Sequence, residues 1–100
     1  MSAALLVSYP TVEDGRFDHD YYLATHFPLV REHWDRHGLI DAVAMRAEDD
    51  QPASVAVALL TFRDSAARDA ALASPEAATV FGDVPNFTNI QPTAQRLAVR

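Results

Sequence analysis

The sequence predicts an α+β domain with a ferredoxin-like β-α-β-β-α-β order, in which two helices cover one face of an antiparallel four-stranded sheet. Two observations lead to this prediction. Apolar runs of strand length and stretches with helical spacing follow one another in that order, and turn residues separate them. The chain of 100 residues also has the length of one domain with a single core, so residues 1–100 are predicted to form one domain.

The first strand and the first helix make up the opening third of the chain. Residues 3–9 form a short apolar run that ends at Pro10, which is typical of a strand. A polar loop follows over residues 11–16. Residues 18–37 have the spacing of a helix, and Gly38 follows its last turn as a C′ residue would.

Signals at the start of this helix are specific. Asp18 is the predicted N-cap, because its carboxylate can accept hydrogen bonds from N–H groups of the first turn. Phe17 and Tyr22 then occupy the two positions of a hydrophobic staple.

Pro28 lies in the middle of the same helix. It has no N–H, and its ring meets the carbonyl of Ala24, so the helix is predicted to kink or restart there. His26 lies beside this point, between aromatic residues. An imidazole next to a freed carbonyl is a candidate for proton-transfer chemistry. The alternative is that His26 only caps the kink.

Two further strands are predicted over residues 40–48 and 53–62, with a turn over residues 49–52. In the predicted topology the first and third strands lie at the centre of the sheet, and they are the most apolar strands. Both of their faces are apolar, whereas the two helices can cover only one. The other face is therefore predicted to pack against a second copy of the chain, which gives a homodimer joined through its sheet faces. The alternative is that these mostly small side chains tolerate water.

The last third of the chain supplies the second helix and the fourth strand. Asp64 is the predicted N-cap of a helix that reaches residue 73, and Pro75 restarts it as far as Gly82. The fourth strand lies within residues 87–99.

Composition excludes several classes of function. The absence of cysteine excludes disulfides, zinc-thiolate sites and a cysteine nucleophile. The formal charge is −6 and the basic residues are scattered, so nucleic acid is not an expected partner. The N-terminal segment has the pattern of neither a signal peptide nor a membrane span, so we expect a cytoplasmic protein without a membrane partner.

No cofactor is predicted, because the sequence contains no glycine-rich phosphate loop. No metal is predicted either. His33 and His37 have the i,i+4 spacing of some zinc ligands, but the sequence offers no third ligand. Trp34 lies on the inward face of the helix and is predicted to be a core residue.

Several of these residues also form motifs that resemble a known family. The motifs are Tyr9-Pro10, Phe17-Asp18-x-x-Tyr21-Tyr22, His26-x-Pro28-Leu29 and, more weakly, Phe81-Gly82-Asp83 with Phe87-Thr88. Through them nearly the whole chain resembles the EthD family, dimeric ferredoxin-like α/β barrels named for ethyl tert-butyl ether degradation.

The resemblance implies a dimeric α/β barrel and a class of site. Relatives in this superfamily include dehydratases, cyclases, isomerases and cofactor-free monooxygenases that act on small aromatic, polyketide or lactone substrates. The cleft lies by resemblance between the sheet and the helices of each subunit, with His26 and Asp83 near its mouth. Because a fold does not fix a reaction, no single chemistry follows.

An apolar cleft with a few polar groups suits a small aromatic ligand. His26 is the predicted acid and base, because the reference pKa of histidine is about 6.5. Asp83 is predicted to orient His26 or to hold it protonated, although loop aspartates also serve as turn or cap residues. The predicted substrate-binding walls are Tyr9, Tyr22, Phe27, Phe81 and Phe87.

The sequence predicts a protein that binds a small apolar or aromatic molecule and catalyses dehydration, cyclisation or isomerisation. Three alternatives stay open: a cofactor-free monooxygenase, a non-catalytic accessory or carrier protein, and a structural dimer without a small ligand.

Overall fold

A computed structural model describes residues 2–99 of the chain. Its strands are β1 (Ala3–Pro10), β2 (Leu39–Arg46), β3 (Ser54–Phe62) and β4 (Thr93–Ala98). They form one antiparallel sheet in the order β2-β3-β1-β4. The predicted α+β class and ferredoxin-like topology are confirmed, and β1 and β3 are the central strands as predicted.

Two helical segments connect these strands. The first, residues 19–37, consists of α1 (His19–Tyr21), a π-helical turn (Tyr22–His26), α2 (Phe27–Trp34) and a 3-10 turn (Asp35–His37). The second comprises α3 (Ser65–Ala73), α4 (Pro75–Gly82) and a 3-10 turn (Val84–Asn86). Within residues 2–99, none of the helices has both the length and the apolar character needed to cross a membrane.

The signals predicted at the ends of the first helical segment are confirmed. The Asp18 carboxylate accepts a hydrogen bond from the Tyr21 N–H at 3.1 Å. The rings of Phe17 and Tyr22 lie 5.0 Å apart, as a hydrophobic staple requires. Gly38 has a φ of +91°, the left-handed conformation that a C′ glycine adopts without strain.

Pro28 does not interrupt the first helical segment, because the chain changes helix type just before it. The Phe27 N–H donates to the carbonyl of Tyr22, five residues earlier, which defines the π turn. Pro28 is then the second residue of α2, where its missing N–H costs little. π turns of this kind are frequent at functional sites, and His26 is the last residue of this one.

One face of the sheet packs against the helices and forms the core. Alternate residues of β1, namely Leu5, Val7 and Tyr9, point to this face and are buried. Trp34 of α2 is buried above Phe62 of β3, with ring centroids 6.1 Å apart.

The opposite face of the sheet carries exposed apolar residues. Strand pairing places Leu6, Leu59 and Val43 side by side across three strands, and Val57 and Met45 in the next row. Val43 and Met45 are 42% and 45% exposed, and the other three are half-buried. We call these five residues the open-face patch. It lies on the surface that the sequence assigns to a second copy of the chain.

Candidate functional site

His26 is buried between aromatic rings at the end of the π turn. Its side chain is only 6% exposed. Its ring stacks on that of Tyr22, with centroids 5.6 Å apart and planes 14° from parallel. The ring of Phe87 lies 4.6 Å away. These contacts hold the imidazole in place and leave its two nitrogens for polar contacts.

Asp83 contacts one of these nitrogens from the end of α4. It is the C-cap residue of that helix, and its Oδ2 lies 3.0 Å from Nδ1 of His26. Its Oδ1 accepts hydrogen bonds from the Tyr21 hydroxyl at 2.8 Å and from the Asn86 side-chain amide at 2.9 Å. A carboxylate is unfavourable at the negative end of a helix dipole, so these three partners stabilise its charge there.

The contacts set the charge state of the pair. Burial raises the pKa of Asp83, but the hydrogen bonds from Asn86, His26 and Tyr21 together outweigh burial and lower that pKa below 3.8. Burial lowers the pKa of His26 below 6.5, and the Asp83 carboxylate offsets only part of this effect. At pH 7 Asp83 is therefore ionised and His26 neutral. Because a carboxylate can only accept, the imidazole proton lies on Nδ1, and Nε2 carries the lone pair.

A small apolar chamber lies next to His26, between the sheet and the helices. Its volume is about 20 Å³, which is room for about one water molecule. Aliphatic residues of the sheet and helices form part of its wall. The other six lining residues carry an aromatic ring or an imidazole: Tyr9, Tyr22, His26, Phe27, Trp34 and Phe81. A ligand larger than water therefore needs a movement of the wall.

A larger cleft adjoins this chamber beside β4. Its volume is about 270 Å³, and its walls include Val84 and Pro92. Val7 and Phe81 line both cavities. Val7 belongs to a central strand, whereas Phe81 is 36% exposed and meets Trp34 edge-on at 5.8 Å. Of the two residues in the shared wall, Phe81 is therefore the one whose ring borders solvent. We call the larger of the two cavities, the one beside β4, the outer cleft.

Two tyrosine hydroxyls belong to the same region. Burial raises the pKa of both Tyr9 and Tyr22 far above 10. Both hydroxyls stay protonated at neutral pH, and they are hydrogen-bonded to each other, so only one of their two protons is free to be donated to an oxygen atom of a ligand.

The structure brings most of the sequence-predicted site residues together. Tyr9, Tyr22, Phe27 and Phe81 line the chamber with His26, and Asp83 binds His26. Phe87 differs in its place: it packs on the imidazole but is not part of the chamber wall.

Three residues of this region were not predicted to belong to a site. Asn86 follows Asp83 by three residues, a local spacing that could have indicated their hydrogen bond. The sequence gives no such signal for Tyr21. On a regular α-helix the side chains of Tyr21 and His26, five residues apart, would point in directions about 140° apart and would not be expected to share a partner. The third is Trp34, which the sequence assigns only to the core.

His37, which lies four residues after His33, contacts a carboxylate in the structure. Nε2 of His37 lies 2.6 Å from the carboxylate of Glu76, which also pairs with Arg36 at 3.0 Å. Over residues 2–99, no three His, Asp or Glu side chains cluster in the way metal ligands do.

Comparisons with known proteins agree with the resemblance seen in the motifs. The family model for the EthD domain matches residues 13–91. None of the curated proteins matches the chain. Among solved structures, an EthD-like protein from Ralstonia eutropha is 27% identical with a TM-score of 0.83, over 95% of this chain and 88% of that one.

Two more distant crystal structures share the fold. SnoaB, a cofactor-independent oxygenase from Streptomyces nogalater, is 13% identical with a TM-score of 0.74, over 99% of this chain and 93% of that one. A dimeric ferredoxin-like protein from Jannaschia is 20% identical with a TM-score of 0.69, over 99% of this chain and 100% of that one. At these identities the similarity concerns the fold alone. The EthD model, in contrast, matches most of the chain and includes both His26 and Asp83, and the protein is therefore a member of the EthD family.

Proposed function

We propose that this protein binds a small, largely apolar molecule between its sheet and its helices and moves protons on it without a cofactor. His26 is the acid and base in this proposal. The observation that carries it is the pairing of His26 with Asp83 at the wall of the chamber. A neutral imidazole that donates from Nδ1 to a carboxylate keeps Nε2 as its basic atom. The apolar wall excludes water from the reacting atoms.

The proposed reaction is a proton shuttle. Nε2 of His26 takes a proton from a carbon next to a carbonyl group, which leaves an enolate and an imidazolium. The imidazolium then returns the proton to another carbon, or to a hydroxyl group that departs as water. Asp83 stabilises the imidazolium between these steps. The hydroxyl proton that the Tyr9–Tyr22 hydrogen bond leaves free is available to stabilise the enolate oxygen.

Ligand binding in this proposal requires Phe81 to move. The chamber of about 20 Å³ is too small for an aromatic molecule, whereas the outer cleft of about 270 Å³ has nearly the volume of a small-molecule site. Rotation of Phe81 joins the two spaces and brings the ligand to His26. Tyr9, Tyr22 and Phe27 then contact the ligand, and Phe87 supports the imidazole from behind.

Thermal shift assays with phenols, quinones, hydroxy-ketones and lactones test this function. A ligand at a hundred times its Kd adds about 2.7 kcal/mol, which raises the Tm by several degrees. His26→Asn is the informative variant, because its amide can still donate to Asp83 while Nε2 is lost. We expect the variant to fold and bind ligand without turning it over. Unfolding of both His26→Asn and His26→Ala would favour the role of a helix cap.

Two of the three alternatives from the sequence involve a small ligand. The structural likeness to SnoaB favours a cofactor-free monooxygenase, in which the deprotonated substrate reacts directly with molecular oxygen. Oxygen consumption in the presence of a binding compound identifies this reaction. An accessory or carrier protein, in contrast, binds its ligand equally well without His26 and does not change it. A role in ether breakdown, implied by the family name, stays a prediction.

The protein is further proposed to be a homodimer joined through the open-face patch. Five apolar residues lie together on this face, and the Jannaschia protein with the same fold is described as dimeric. Burial of this patch removes exposed apolar surface that a single protomer cannot cover. The cytoplasmic location stays a prediction.

A further inference from the structure

Trp34 carries a buried polar group without a partner. Its side chain belongs to the core at 1% exposure, and its indole Nε1–H has no acceptor among residues 2–99. Trp34 also lines the chamber in which His26 lies. Buried donors in native proteins are nearly always paired, so this one requires an explanation.

The packing around Trp34 does not supply one. The neighbouring rings are those of Phe62, at 6.1 Å, and Phe81, at 5.8 Å, and both are pure hydrocarbon. A phenylalanine at position 34 would keep aromatic contacts with both without burying an N–H. Core packing alone therefore accounts for a large aromatic residue here, but not for an indole donor.

The missing acceptor is explained if it comes from a ligand. Phe81 covers Trp34 edge-on and belongs to the wall shared with the outer cleft. The movement of Phe81 that admits a ligand also uncovers the indole. A molecule that fills the joined space then meets polar groups of the first helical segment that include His26 and, eight residues later, Trp34.

We propose that Trp34 is a specificity-determining binding residue whose Nε1–H donates a hydrogen bond to a carbonyl or phenol oxygen of the bound molecule. This inference rests on the proposed function, because it needs a ligand in the chamber. The apolar rings of the ligand fill the space and its oxygen fixes the orientation. Hydrocarbon analogues of the same shape leave the indole N–H unpaired and bind more weakly.

The probes 1-indanone and indane test this inference, because they have the same fused rings and differ in one carbonyl oxygen. Trp34 is the single tryptophan of the chain, so protein fluorescence reports on this residue alone. We expect 1-indanone to bind about tenfold more tightly than indane. We also expect 1-indanone, but not indane, to shift the emission to longer wavelength.

The variant Trp34→Phe has no tryptophan, so its binding is measured by thermal shift. In this variant the two probes should bind alike. The emission shift needs no variant and keeps the test valid if Trp34→Phe does not fold.

Deuterium exchange separates this inference from the proposed function. Enolisation of 1-indanone in D2O replaces the protons next to its carbonyl, and His26→Asn should abolish the protein-dependent part of this exchange. If the exchange depends on His26 but 1-indanone binds no more tightly than indane, the role of Trp34 is overturned and the proposed function is not. A preference that depends on Trp34, without exchange, would support Trp34 and overturn proton transfer. Binding of neither probe would overturn both.

Discussion

Oδ2 of Asp83 lies 3.0 Å from Nδ1 of His26, although 57 residues separate the two in the sequence. Each is held at the end of a helical element, His26 by a π turn and Asp83 by the C-terminus of α4. Tyr21 and Asn86 bind the other carboxylate oxygen, Oδ1. A change at either residue should therefore be measurable at the other.

Asp83→Asn should destabilise the protein by about 1–3 kcal/mol, because a charged acceptor of three hydrogen bonds is lost. It should also lower the pKa of His26 further, since the carboxylate is the group that raises it. Urea unfolding at pH 7 and NMR titration of His26 measure the two effects. Asp50→Asn, in the exposed turn between β2 and β3, is the control for loss of charge and should cost less than about 0.5 kcal/mol. An unchanged His26 pKa in Asp83→Asn would contradict the pairing.

Acidification from pH 7 to pH 5 should lower the stability of the wild type. The folded-state pKa of His26 lies below 6.5, so in this range the unfolded chain binds more protons than the folded one. Stability is then fully present above about pH 6.5 and decreases as the pH falls. The lowered pKa of Asp83 acts in the same direction below pH 3.8.

Urea unfolding of the wild type and of His26→Asn at both pH values measures this dependence. The variant lacks the titrating imidazole, so its stability should change less between pH 7 and pH 5. Equal changes in the two proteins would show that His26 is not the group responsible.

The sequence allowed the fold to be predicted because its signals are local or periodic. The N-cap Asp18 and the left-handed Gly38 act within one turn of their helix. The two most apolar strands, β1 and β3, are the central ones. A central strand has a neighbouring strand on each side, so more of it is shielded from water than of an edge strand. These features need no knowledge of distant contacts.

The site was only partly predictable, because it depends on contacts between distant elements. The helical spacing around His26 gives no sign of the π turn that fixes its direction. An inward-facing Trp34 is evident from the pattern, but its unpaired N–H is visible only once its neighbours are known. The small size of the chamber likewise follows from the packing of Phe81 and not from its presence in the sequence.

Phe81→Ala should join the chamber to the outer cleft in the absence of ligand. The Phe81 ring covers Trp34, so its removal should increase the quenching of Trp34 fluorescence by acrylamide severalfold. The stability cost should stay below the 3–5 kcal/mol or so of a fully buried phenylalanine, since Phe81 is 36% exposed. Leu23→Ala, at an exposed position of the π turn, is the control and should leave quenching unchanged. Equal quenching in Phe81→Ala and the wild type would exclude Phe81 as the wall between the two cavities.

Arg68→Met should destabilise the protein by about 2–3 kcal/mol. The Arg68 side chain is 8% exposed, and its guanidinium donates to the carbonyls of Ala4 and Leu97 on two paired strands. Methionine keeps an unbranched apolar chain but removes these donors, so α3 loses its polar contact with the sheet. Arg63→Met is the matched control, because the Arg63 side chain is 67% exposed and should contribute less than about 0.5 kcal/mol. Thermal unfolding compares the two, and equal losses of stability would contradict a special role of Arg68.

Leu59→Lys should convert the proposed dimer into a monomer. Leu59 lies on β3 between Leu6 and Val43, at the centre of the open-face patch, where a second protomer would bury an unpaired ammonium group. Leu23→Lys adds the same charge on the π turn, at a residue that is 58% exposed, and should leave the assembly unchanged. Size-exclusion chromatography with light scattering measures the mass of all three proteins. A dimer that persists in Leu59→Lys would place the interface elsewhere, and a monomeric wild type would rule out the dimer. Because the patch lies on the face of the sheet opposite to the chamber, the monomeric variant should still bind ligand.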